Sequence, residues 1–259
     1  MKLTEEETKK QAMYDDLLAE RKKFHLKELQ DEEASGNADP NTSFMILILN
    51  GYENDAITYY NMMRDKLDIW TTVIGDCELA KRLKCDGLAS SPIYDAFQMK
   101  MYKLVELLMQ DDRVDINSQD KFGETFASSA IYAYANARDN GDKEAIDFCK
   151  RMFNKVIDNE NFNINAVDMN DDTVLNIAAE DESLLWAVEK ILTKPNVDVN
   201  KKNFFKNGPF TSAAIYNNTK AMELLMQRTD LVISEDDIKE AKDNGYEVDV
   251  ATRTISKIS

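Results

Sequence analysis

The stretch Asp168-Met169-Asn170-Asp171-Asp172-Thr173-Val174-Leu175-Asn176-Ile177-Ala178-Ala179 decides the reading of the whole chain. An acidic, polar turn leads into a short apolar run that closes on two alanines. Such a run suits a short buried helix, and alanine at a fixed point lets a second helix come close. Moving outward, the same block recurs. Five segments superpose, starting at Thr42-Ser43-Phe44-Met45, Ser91-Pro92-Ile93-Tyr94, Thr125-Phe126-Ala127-Ser128, Thr173-Val174-Leu175-Asn176 and Pro209-Phe210-Thr211-Ser212. Two positions beyond each block stand Leu47, Ala96, Ala130, Ala178 and Ala214. Recurrence at a fixed period is the mark of a repeat architecture.

Each block is followed by more of the same pattern. A second apolar run, such as Leu104-Val105-Glu106-Leu107-Leu108, Trp186 to Leu192 or Met222-Glu223-Leu224-Leu225-Met226, has the spacing of one helix face. Then comes a tetrad: Val114-Asp115-Ile116-Asn117, Phe162-Asn163-Ile164-Asn165 and Val197-Asp198-Val199-Asn200. Its alternation predicts a short strand-like stretch. Ser91 to Thr125 is 34 residues (125 − 91) and Thr173 to Pro209 is 36 (209 − 173). Thr42 to Ser91 is 49 (91 − 42) and Thr125 to Thr173 is 48 (173 − 125), which implies insertions near residues 71–90 and 137–147. The first is expected to hold a short helix from Asp76, the second a polar turn from Ala137 to Lys143.

These residues resemble the ankyrin repeat, with its T-P-L-H-x-A-A block, a turn, a V-V-x-L-L helix and a D-V-N finger. The resemblance covers roughly residues 42–233 by the repeat-period heuristic. It implies an all-α, ankyrin-like α-solenoid of helix-turn-helix repeats with short β-hairpin or extended fingers and helical caps at both ends. The family's histidine, which ties neighbouring repeats together, is replaced here by Met45, Tyr94, Ser128, Asn176 and Ser212. The expected organisation is an N-terminal helical cap over 1–40, repeats over 41–233, and a capping helix with a loose tail over 234–259. Residues 2–34 read as one long polar helix. Ser234 to Asp237 reads as a capping box and Gly245 as the stop of the last helix.

Composition narrows the function. The net charge of −16 should repel nucleic acid and anionic membranes, and a basic protein surface is its electrostatic complement. The longest apolar run, Phe44 to Leu49, is far short of the ~20 residues that span a bilayer. The N-terminus has no apolar signal core, so a cytoplasmic monomer is expected. Cys77, Cys85 and Cys149 form no disulfide framework or zinc pattern and read as reduced thiols.

His25 is the single histidine, which removes triads and most zinc and haem arrangements. Asp168, Asn170 and Asp172 imitate the start of a calcium loop, but Thr173 and Ala179 stand where its glycine and bidentate glutamate belong. No glycine-rich phosphate loop occurs, and no catalytic residue or cofactor is expected. What remains are large apolar residues on the fingers: Trp70, Phe122, Met169, Phe204 and Phe205. The resemblance implies partner binding through fingertips and the faces of the first helices, and exposed aromatics are typical interface anchors. Met169 is expected to match Phe122 in position. The expected function is a scaffold, adaptor or inhibitor that binds a protein. The alternatives are a secreted effector acting in a host cytoplasm, and an enzyme with its site in the non-repeat segments.

Overall fold

The computed structural model describes Lys27, Asp31 and residues 40–67, 72–73, 89–120 and 122–258. Trp70, the expected helix from Asp76 and nearly all of the expected helix over 2–34 lie outside these residues; Lys27 and Asp31 are helical. Among the described residues the fold is mostly α-helical, with eleven α-helices and few strands. No helix among the described residues is long and apolar enough to cross a membrane. The chain divides into two compact units, Met1–Val114 and Asp115–Ser259.

In the first unit, α1 (Pro40–Leu49) turns at Gly51 into α2 (Glu53–Met63), which ends in a 3-10 turn, Arg64–Lys66. The strands β1 (Thr72–Val73) and β2 (Ala89–Ser90) pair antiparallel. They precede α3 (Pro92–Gln98) and α4 (Tyr102–Leu108). Helix α1 packs on α2 and α3, and α4 on α2 and α3. Glu53 fixes the junction: its carboxylate accepts the backbone N–H of Lys103 at 2.7 Å and of Leu104 at 3.3 Å, satisfying open donors at the start of α4. The carboxylate of Asp111 is fully buried. It accepts from the Tyr60 hydroxyl, from Arg64 Nε at 3.1 Å and from Arg113 Nη2 at 2.8 Å. Burial and the Asp111 hydrogen bond push the Tyr60 hydroxyl up to about 12. The Arg113 hydrogen bond, with help from Tyr60 and Arg64, holds Asp111 far below the usual carboxylate range against the opposing effect of burial.

The second unit holds α5 (Phe126–Asn140), α6 (Lys143–Ile157), α7 (Val174–Ala179), α8 (Leu185–Leu192), α9 (Pro209–Ile215), α10 (Thr219–Met226) and α11 (Glu235–Asp243), then strands β3 (Tyr246–Asp249) and β4 (Thr254–Lys257). One series of contacts runs α5 to α7 to α9 to α11, and another α6 to α8 to α10. The repeated alanines sit where the first series touches: Ala130, Ala178 and Ala214 are completely buried. In the second series the buried residues follow helical spacing, as in Ala187, Val188 and Ile191 of α8. Local chemistry starts the helices. Thr125, Thr173 and Ser234 accept the N–H three residues on, and Thr173 and Ser234 close full capping boxes with Asn176 and Asp237.

Three local expectations need correction. The polar turn expected from Ala137 to Lys143 is mostly helix. Both α5 and α6 instead run to 15 residues, and the turn between them is only left-handed Gly141 and the N-cap Asp142. The tetrads are turns rather than strands: each starts an Asx turn in which Asp115, Asn163 or Asp198 accepts the N–H two residues on, at 2.8, 3.2 and 2.9 Å. The tail after Gly245 is not loose. It forms the β3–β4 hairpin in register Tyr246↔Lys257 to Asp249↔Thr254. Tyr246 is buried, and Arg253 Nη1 donates to the carbonyls of Met226 and Arg228 at the end of α10.

Candidate partner-binding surface

Each finger is one turn built three times. Asp120, Asp168 and Asn203 start it, and in each the side-chain Oδ1 accepts two backbone amides. These belong to Phe122 and Glu124 (2.8 and 2.9 Å), Asn170 and Asp172 (2.8 and 2.9 Å), and Phe205 and Asn207 (both 3.0 Å). The backbone N–H of the same starting residue donates to the carbonyl four residues on, Glu124, Asp172 or Asn207. The fourth residue of each turn is left-handed: Gly123 at φ 75°, Asp171 at 62° and Lys206 at 65°. Asp168 therefore spends its carboxylate on its own turn, where the sequence imitates a calcium loop.

Successive turns are joined tip to tip. The Met169 N–H donates to the Phe122 carbonyl, and the Phe204 N–H to the Asn170 carbonyl, both at 2.8 Å. At Gly123 a side chain would sit 3.0 Å from Asp168 Cα, so glycine is required there by contact as well as by φ. The left-handed residues fix the alignment of the turns. Phe122 corresponds to Asn170 and Phe205, while Met169 corresponds to Lys121 and Phe204. The expected match of Met169 with Phe122 is off by one residue.

A second set of ties runs beside the tips. Asn117 donates through Nδ2 to the Asn161 carbonyl at 2.8 Å and accepts from the Asn163 N–H at 2.6 Å. Asn165 does the same with Asn196 and Asp198, and Asn200 with Asp230 and Val232, every distance 2.8 Å. Asn176 donates to the carbonyls of Lys201 at 3.4 Å and Asn207 at 3.2 Å.

On this frame the expected anchors point outward. Met169, Phe204 and Phe205 are 70%, 72% and 68% exposed and Phe122 45%. The Phe204 and Phe205 rings meet edge to face at 5.5 Å. Trp70 lies outside the described residues.

Sequence reasoning missed a second row, in α5 and at the ends of α7 and α9. Tyr132, Glu180 and Tyr216 each stand two residues beyond the buried alanine of their segment, Ala130, Ala178 and Ala214. Because α7 packs on both α5 and α9, Glu180 lies between the two tyrosines. Tyr132 and Tyr216 are 45% and 57% exposed. Burial, then the carboxylates of Asp172 and Asp168, push Glu180 up to about 7. Burial, then Asp120, raise Glu124; burial, and the nearby Asp168 and Asp171 carboxylates, raise Asp172 against a hydrogen bond from Asn203. Glu180 is the largest influence raising the Tyr216 hydroxyl. Rings and carboxylates thus share one side of the second unit, an arrangement suited to recognition by packing and charge.

No family model matches the chain, and no curated protein matches it.

Proposed function

We propose that the chain is an ankyrin-like repeat protein that binds another protein across its fingertips and the adjoining helix row. The observation that carries this reading is the outward cluster of Met169, Phe204 and Phe205 on two turns of identical hydrogen bonding. A soluble surface seldom leaves such large apolar side chains together unless they meet something, and aromatic anchors dominate binding energy in protein interfaces. The rigid turns matter too. Anchors already fixed in place lose little freedom on binding. The repeat reading draws on the three equivalent asparagine ties and the buried alanines, features expected of stacked units that each meet only their neighbours. The acidic surround favours a partner with a basic face.

The test is affinity capture from cytosol with the wild-type chain beside Phe122→Ala/Phe204→Ala, followed by a purified binding assay with the captured protein. The reading expects a partner that the wild type holds and the double variant binds at least tenfold more weakly. Equal affinity for both chains overturns the choice of surface. Circular dichroism of the double variant should match the wild type, since both rings are exposed.

A further inference from the structure

We propose that the row Tyr132–Glu180–Tyr216 receives an arginine side chain of the partner, its guanidinium on the Glu180 carboxylate between the two tyrosines. This deepens the partner-binding reading and rests on it. The placement follows from the fold: Tyr132 stands in α5, Glu180 and Tyr216 at the C-caps of α7 and α9, each two residues beyond its buried alanine, and α7 is in contact with both neighbours. Glu180 is half-buried, and among the described residues its side chain has neither an ion pair nor a hydrogen bond. No ion pair among them includes Asp168 or Asp172 either.

A carboxylate in that setting is poorly compensated. It lies partly out of water and close to further negative charge, which is why its acid form is favoured up to about pH 7. A cation placed on it removes that cost. The flanking groups choose among cations. Exposed tyrosine rings attract a cation to their faces, and a planar guanidinium stacks on a ring while its N–H fork meets a carboxylate with two parallel bonds. Lysine offers only a compact, strongly hydrated charge. On a chain of net charge −16, long-range attraction favours the same partner.

The test is NMR titration of the full chain at pH 8 with three blocked tripeptides, Ala-Arg-Ala, Ala-Lys-Ala and Ala-citrulline-Ala. The arginine peptide should shift the amide signals of Tyr132, Glu180 and Tyr216. The lysine peptide should bind at least threefold more weakly, and the neutral citrulline peptide should not shift those signals. Glu180→Gln should abolish the arginine shifts. Asp236→Asn, which removes one exposed acid on α11, should leave them unchanged. Arginine shifts that fall elsewhere, that survive Glu180→Gln, or that the lysine peptide reproduces at equal affinity overturn the proposal. So does an absence of shifts with any peptide. A captured partner lost by Phe122→Ala/Phe204→Ala but held normally by Glu180→Gln sinks this inference and leaves the binding reading standing.

Discussion

Asn165 holds the backbone beyond α8: its Nδ2 donates to the carbonyl of Asn196 across 2.8 Å, while its Oδ1 takes the N–H of Asp198. One side chain thus satisfies a donor and an acceptor of the next segment. Asn165→Ala removes both bonds and leaves two backbone groups to water, at a cost of about 1–2 kcal/mol. Asn165→Asp retains only the accepting half and should recover less than half of that loss. Urea denaturation of the three proteins at neutral pH gives the comparison.

Gly123 faces a harder constraint. Its φ of 75° is unfavourable for any side chain, and the next turn lies against it. Gly123→Ala should cost about 1–3 kcal/mol. The same change at Gly141, where a Cβ would meet nothing within 4 Å, should cost only the strain of its φ of 68°. The gap between the two midpoints isolates the close approach. Faster exchange of the Met169 amide should accompany the Gly123 variant.

Asp111 in the first unit supplies a pH signature. Its carboxyl lies far below its ordinary value of 3.8, so the unfolded chain takes up the proton first. The stability from this group is therefore complete above about pH 4 and is lost as pH falls toward the folded value. Asp111→Asn should destabilise the first unit by about 2–4 kcal/mol at pH 7, because it strips the charge that pairs Arg64 and Arg113. The variant should also show less dependence on acid than the wild type below pH 4. Denaturation midpoints from pH 2 to 7 decide the matter.

Glu180 has the opposite sign. Its folded value of about 7 lies above its ordinary 4.5, so the folded chain holds the proton longer. Stability then falls as pH rises from 4.5 through 7. Glu180→Gln should be neutral near pH 4.5. At pH 8 it should raise stability by about 1 kcal/mol once screening at a half-exposed site is counted. A melting temperature that stays below the wild type at both pH values contradicts this account.

Much of this architecture was legible in residue pattern. The alanines at 130, 178 and 214 marked the helix contacts because only small side chains fit there, and the capping box at Ser234 marked α11 because its chemistry is local. What depended on distant partners was not legible. The asparagines closing the tetrads were visible, but their role needs a backbone 30 to 46 residues away in sequence. Asp171 and Lys206 hide the left-handed position that Gly123 advertises, so residue pattern alone pairs Met169 with Phe122 rather than with Lys121. The hairpin after Gly245 escaped notice because its strands are four residues each and mostly polar. The Tyr132–Glu180–Tyr216 row carries no signal of its own, and only counting from the alanines reveals it.

The asparagine ties also set how the second unit responds to a pull on its two ends. The ties at Asn117, Asn165 and Asn200 follow one another along the chain, so tension passes through them in series and the weakest yields first. Extension should then proceed in steps. The 48 residues between the first two ties (165 − 117) and the 35 between the last two (200 − 165) would release roughly 160 Å and 120 Å of slack. Such a molecule gives way by degrees under load, and re-forms from whichever pair of segments remains closed.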